Sequence, residues 1–204
     1  MKMDFLPNLA LKTCALTLAI AATASCTTMA TGADYQTSNA QTTANTTALA
    51  LGNTATAGGS NDTVAIGNMA NAGLNSATAV GGQANAAGLG STSIGWQSKA
   101  TAERAQAFGH LANASGVRST AVGEAAAAQG ANSVALGNNS MAGGMNSIAI
   151  GNGAMAAKNN QVVLGSAGQV KSSTSSQSGM VRIVTIDDNG TLGTMLVDYY
   201  KSAK

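Results

Sequence analysis

A glycine recurs at near-constant spacing through most of this chain: Gly52, Gly67, Gly81, Gly95, Gly109, Gly123, Gly137, Gly151 and Gly165. The first interval is 15 residues and the seven that follow are each 14. Tandem units of such length stack on their neighbours as a solenoid, and 14 residues are too few for a pair of helices. They suit two very short strands and two turns. The spacing therefore predicts an all-β fold, a parallel coil of about nine 14-residue turns.

Aligned on that glycine, the repeats form columns with distinct physical jobs. The residue just before it is always bulky and apolar: Leu51, Ile66, Val80, Ile94, Phe108, Val122, Leu136, Ile150 and Leu164. Two before it stand Ala50, Ala65, Ala79, Ser93, Ala107, Ala121, Ala135 and Ala149, with Val163 as the exception. Alternation with period two marks a strand whose large and small residues face opposite sides. After the glycine, small residues return three positions on, from Ala55 and Ala70 to Ala154 and Gly168, and five positions on, from Ala57 and Ala72 to Ala156 and Val170. Residues between them, such as Asn71, Lys99 and Met141, vary freely. The variable positions belong in water and the small ones inside.

A coil filled with alanine is thin, with its sheets closer than the usual ~10 Å spacing. The bulky column cannot share that interior. It forms a continuous apolar stripe along a rod of nine rungs, roughly 40 Å long at about 4.8 Å per rung. Monomers rarely expose such a stripe, and burying it at ~25 cal/mol per Å² needs a partner chain. Identical chains meet this need by cyclic symmetry, so the columns predict an obligate homo-oligomer. The glycines serve the turns, which need φ > 0. Asparagine, the next best resident of such positions, follows the glycine at Asn53, Asn68, Asn138 and Asn152 and precedes the strand at Asn132 and Asn146.

The segments Asn132-Ser133-Val134-Ala135-Leu136-Gly137, Asn146-Ser147-Ile148-Ala149-Ile150-Gly151 and Asp62-Thr63-Val64-Ala65-Ile66-Gly67 resemble the repeat motif of YadA-like trimeric autotransporter adhesin heads. The likeness covers about residues 47–170. It implies a homotrimer of left-handed parallel β-rolls with the bulky column at the three-fold axis. It also implies a surface protein that binds extracellular matrix proteins or cell-surface receptors. Those adhesins carry a heptad-repeat stalk and a C-terminal membrane-spanning β-barrel segment. The 34 residues after position 170 hold neither sustained heptads nor enough ~10-residue alternating segments for a barrel. The expectation is a head without its translocator.

Residues 1–25 read as a signal peptide, with Lys2 and Lys12 beside an apolar run that contains Leu16, Leu18 and Ile20 and is too short to span a membrane. The run ends Thr23-Ala24-Ser25-Cys26, which resembles a bacterial lipobox and makes Cys26 the candidate lipid attachment site. Ordinary cleavage after Ala24, leaving Cys26 a free thiol, is the alternative. Residues 26–46 read as a flexible tether and 171–180 as a Ser-rich linker. Beyond it, two β-branched runs, Val181 to Ile186 and Thr191 to Val197, flank Asp187-Asp188-Asn189-Gly190, a strong hairpin signal. Residues 181–204 are therefore a C-terminal hairpin suited to capping the solenoid or to assembly and partner docking.

No catalytic constellation is present. His110 is the single histidine, the repeats hold only one aspartate, Asp62, where calcium-binding nonapeptides need many, and no glycine-rich loop leads into a helix. The reading is no enzyme, no cofactor and no metal. A net charge of +2 gives no footprint for nucleic acid. Outward threonines (Thr54, Thr56, Thr101) are scattered rather than laddered, which argues against ice binding.

Three middle rungs stand apart. Trp96, His110 and Glu124 share the position after the glycine, so they stack about 5 Å apart. Arg104 and Arg118 share another column, near Lys99 and Glu103. Against a surface of Asn, Thr, Ala and Gln, this is either a ligand patch anchored by tryptophan and arginine or a solubilising belt. At the same level Thr78, Thr92, Gln106 and Thr120 interrupt the aliphatics three positions before the glycine. Such a polar layer either holds water or an ion at the axis or sets the register of the chains. The whole describes an exported, lipid-anchored surface adhesin, alternatively secreted. The other reading is a structural subunit of a surface layer, fibre or appendage with no specific receptor.

Overall fold

Small residues two before each repeat glycine leave room for a second strand directly behind the first, and the chain fills it. The computed structural model describes residues 35–36, 40–42, 47–166, 168–169, 182–186, 188 and 191–196. Within them each repeat contributes a strand that ends just before its glycine, such as Thr63–Ile66 or Gln106–Phe108, and a two-residue strand four positions after it, such as Asn71–Ala72 or Lys99–Ala100. The first set builds a ten-stranded sheet, here sheet A, running from Tyr35–Gln36 to Val162–Leu164. The second builds nine-stranded sheet B, from Gln41–Thr42 to Met155–Ala156. All neighbours in both sheets are parallel, and each strand of one sheet is part of the crossover between two strands of the other. The result is a β-roll.

Register follows the repeat. Gln106, Ala107 and Phe108 pair with Thr120, Ala121 and Val122, so a column in the alignment is a column in space. Every buried hydrophobic side chain among the described residues is an alanine. Ala50, Ala65, Ala79, Ala107, Ala121, Ala135 and Ala149 from sheet A meet Ala57, Ala72, Ala86, Ala100, Ala114, Ala128, Ala142 and Ala156 from sheet B, all fully buried. Thr63, Ser91, Ser119, Ser133 and Ser147 form a further inward column at the entrance to the sheet A strands, which the repeat alignment did not single out. Ser91 and Ser147 return their hydroxyls to the carbonyls of Gly88 and Gly144 at 2.7 Å, which lets a polar atom sit in a core this thin.

The repeat glycines hold φ between 120° and 135° from Gly52 to Gly151, a region closed to side chains. At Gly109 an added Cβ would also lie 2.6 Å from the Gly123 carbonyl oxygen of the next rung. The asparagines behind these glycines are a different matter. The left-handed residue is one place later, at Thr54, Met69, Gln83, Gln97, Leu111, Ala125 and Asn139, with φ between 53° and 59°. Asn53, Asn68, Asn138 and Asn152 therefore do not occupy the positive-φ site expected of them. Asn132 and Asn146 do, both at φ 55°.

Two boundaries also differ from the sequence reading. Tyr35–Gln36 pairs with Ala48–Leu51, and Gln41–Thr42 with Thr56–Ala57, so strand pairing already begins within residues 26–46, read as a tether. One repeat before Leu51 and Gly52 stand Thr37 and Ser38, so neither landmark residue announces this turn. At the other end, Val162–Leu164 continues sheet A, but Gly168 lies exposed in a short helical turn instead of facing inward, and Val170 lies outside the described residues. Separately, Arg182–Ile186 and Leu192–Leu196 form the expected antiparallel hairpin, with Ile186 opposite Leu192.

Candidate binding surface

Outward positions of sheet A carry two columns, the bulky one before each glycine and the one three before it. Neither contains a charge from Leu49 to Leu164. Alternation aims both away from the alanine core, and in the single chain Ile94, Leu136, Ile150, Val162 and Leu164 are exposed, the last two at 61% each. Exposed aliphatics in register along a parallel sheet form the kind of contiguous apolar patch that marks a candidate interaction surface.

The turns from sheet A to sheet B carry the second feature. Trp96, His110 and Glu124 stack there in successive rungs. The Trp96 and His110 rings lie 4.9 Å apart at an interplanar angle of 22°, and His110 Nδ1 lies 3.3 Å from Glu124 Oε1. Asn138 Nδ2 donates to Glu124 Oε2 at 3.2 Å, which extends the ladder to a fourth rung. Below Trp96, Gly82 provides a bare ledge: a Cβ there would lie 3.1 Å from Trp96 Cδ1. The half-exposed indole thus sits between Gly82 of one neighbouring rung and His110 of the other.

Arg104 and Arg118 sit on the opposite corner, in the turns that lead from sheet B back to sheet A, with φ of 53° and 55°. Arg104 lies 3.6 Å from Glu103 in an exposed pair. Lys99 projects from the outer face of sheet B, between the two corners. The six candidate residues are thus one belt around the roll but not one patch: Trp96, His110 and Glu124 are brought together, and the arginines are turned away from them. Positions eight apart within a 14-residue rung fall on opposite turns, and the alignment alone does not display that wrap. The arginine column continues as an asparagine ladder, Asn132 to Asn146 at 3.2 Å and Asn146 to Asn160 at 3.1 Å. Asparagine at three successive repeat positions was the signal for it in the sequence.

Among the described residues no three His, Cys, Asp or Glu side chains gather as a metal site would require. Nor, among them, is any helix long and apolar enough to cross a membrane. Cys26, the candidate lipid attachment site, lies outside the described residues, as do the whole linker 171–180 and the Asn189-Gly190 pair.

Comparisons with known proteins find two likenesses. A family model described as the YadA head domain repeat (2 copies) matches in overlapping segments from residue 75 to residue 160. The crystal structure of the collagen-binding domain of the Yersinia adhesin YadA is similar at 24% identity, covering 64% of this chain and 78% of that one, with a TM-score of 0.39. A search of curated protein sequences returns no match.

Proposed function

This chain carries a YadA-like head domain, and from that premise we propose that it is an exported trimeric adhesin that attaches cells to matrix proteins or to other cells. The observation that carries the reading is the charge-free aliphatic face of sheet A. Three copies placed around an axis bury it, and leave three identical outer surfaces of sheet B and the two corners for ligands. Contacts from small polar side chains are individually weak, and three faces multiply them through effective concentration. The Trp96–His110–Glu124 ladder on one corner and Arg118 on the other are the strongest anchors on that surface. Attachment to the membrane runs through a lipid on Cys26, with residues immediately after it lifting the roll from the surface. The C-terminal hairpin caps the assembly.

Surface plasmon resonance on immobilised collagen, fibronectin and laminin tests the adhesin reading. Saturable, avid binding to the immobilised protein with poor binding to short soluble fragments is expected. An intact trimer with no saturable binding to any matrix protein or cell surface would leave the structural-subunit reading in its place. Mass spectrometry of the mature N-terminus tests the anchor, with a diacylglyceryl modification of Cys26 expected. A Cys26→Ala variant that still fractionates with membranes would remove the lipid from the account.

A further inference from the structure

We infer that the strand Gln106–Phe108 is a register key, the element that makes copies of this chain associate level with one another rather than offset by a rung. The inference rests on the self-association proposed above and concerns how it is made specific. Sheet A is translationally regular: each strand sits one repeat from the next with matching Cα partners, as in Thr92↔Gln106 and Thr120↔Val134. Its bulky outward column is Leu, Ile, Val, Ile, Phe, Val, Leu, Ile, Leu. Sliding one copy along another by a single rung of about 4.8 Å puts aliphatic against aliphatic almost everywhere, so that column by itself barely distinguishes registers.

Two irregularities break the degeneracy, and they meet in one strand. Phe108 is the single aromatic side chain of the bulky column. Three before each glycine, the column runs Leu49 and Val64, then Thr78, Thr92, Gln106 and Thr120, then Val134, Ile148 and Val162. Gln106, the largest polar group of that run, is exposed in the single chain on the same face as Phe108. In level chains the polar positions face polar positions, so amide and hydroxyl groups find partners. An offset of one rung sets Thr120 of one copy against Val134 of another and Thr78 against Val64, and spoils the fit of the three phenyl rings. Buried polar groups without partners penalise the wrong alignment, as a single polar residue does in the seam of a coiled coil.

The full-length protein tests this by disulfide cross-linking, read by mass spectrometry so that Cys14 and Cys26 are told apart from introduced thiols. Chains bearing Leu136→Cys are mixed and refolded with chains bearing Ile150→Cys. With the key intact, 136–136 and 150–150 cross-links are expected and 136–150 cross-links are not. Removing the key by Thr78→Val, Thr92→Val, Gln106→Val, Phe108→Val and Thr120→Val should raise the 136–150 product by about tenfold or more. A second chain moves the whole pattern up one rung through Thr78→Val, Gln106→Thr, Phe108→Val, Thr120→Gln, Val122→Phe and Val134→Thr. Carrying Ile150→Cys and mixed with unshifted chains carrying Leu136→Cys, it should favour the 136–150 product. If the keyless chain still gives only level cross-links, or the moved key leaves the register unchanged, the inference is overturned. A monomer by light scattering with no cross-links of either kind would overturn the self-association itself, and the key with it.

Discussion

Sheets A and B share their inner faces and differ in their outer ones. Inward, both present alanine with an occasional serine, fully buried in every rung from Ala50 to Ala156. Outward, sheet A presents Leu, Ile, Val and Phe with a middle run of Thr78, Thr92, Gln106 and Thr120, whereas sheet B presents Thr56, Asn71, Asn85, Lys99, Asn113, Ala127, Met141 and Met155. In sheet B, Asn71 Nδ2 donates to Asn85 Oδ1 of the next rung at 2.9 Å. The constant interior reflects the space between two closely backed sheets, where only small groups fit. The exteriors are under no such constraint, so their difference reports what each face meets. On the function proposed above, sheet A meets other copies of the chain and sheet B meets solvent and ligands.

The largest expected effect opposes the two faces directly. Ile150→Asp on sheet A would bury unpaired carboxylates beside one another in the assembly, at several kcal/mol per ion, and light scattering should find no trimer. Met155→Asp, on the outer face of sheet B, should leave the trimer intact. A trimer that survives the first change and is lost with the second would reverse the assignment of the faces.

Next comes the shared interior. Ala121→Leu forces a large side chain between the sheets and should cost about 1–3 kcal/mol or more in denaturant unfolding. Ala127→Leu, one sheet away and pointing outward, should stay within about 0.5 kcal/mol. Equal effects would mean that the space behind sheet A is looser than the fully buried alanines indicate.

The corner joining the faces should respond least. Trp96→Ala removes a ring stacked on His110 and should cost about 0.5–1.5 kcal/mol while the trimer persists. Its larger effect should be on matrix binding, which separates an anchor from a brace. Smaller still, Glu124→Gln loosens exposed contacts with His110 and Asn138 and should cost under ~1 kcal/mol in denaturant unfolding.

Much of the roll was legible because the repeat is short and strict. Alternation across Thr63–Ile66 and its copies assigns inward and outward residues, and once strands are parallel and in register, the aliphatic stripe follows. The hairpin was legible from two β-branched runs around Asn189-Gly190. Other features were not. The turn formed by Tyr35–Gln36 and Gln41–Thr42 lacks the repeat glycine and the bulky residue, since backbone pairing to a neighbouring strand requires neither. The Trp96 ledge depends on Gly82, which reads in sequence as one more glycine.

What the sequence determined by itself is the order of things along the rod: the period, the alanine interior, the aliphatic face and which residues stack in successive rungs. Trp96, His110 and Glu124 form a ladder because one repeat separates them, whatever the turns do. Where each column lies around the rod was decided only by the tertiary structure. The left-handed positions at Gln97 and Leu111 on one corner, and at Arg104 and Arg118 on the other, turn the chain so that the ladder and the arginines point apart. Glutamine, leucine and arginine are held there by hydrogen bonds between rungs, such as Leu111 N to Trp96 O at 3.0 Å and Arg118 N to Glu103 O at 2.9 Å. Those bonds exist only once the neighbouring rung is in place, so no local preference of the residues announces the turn.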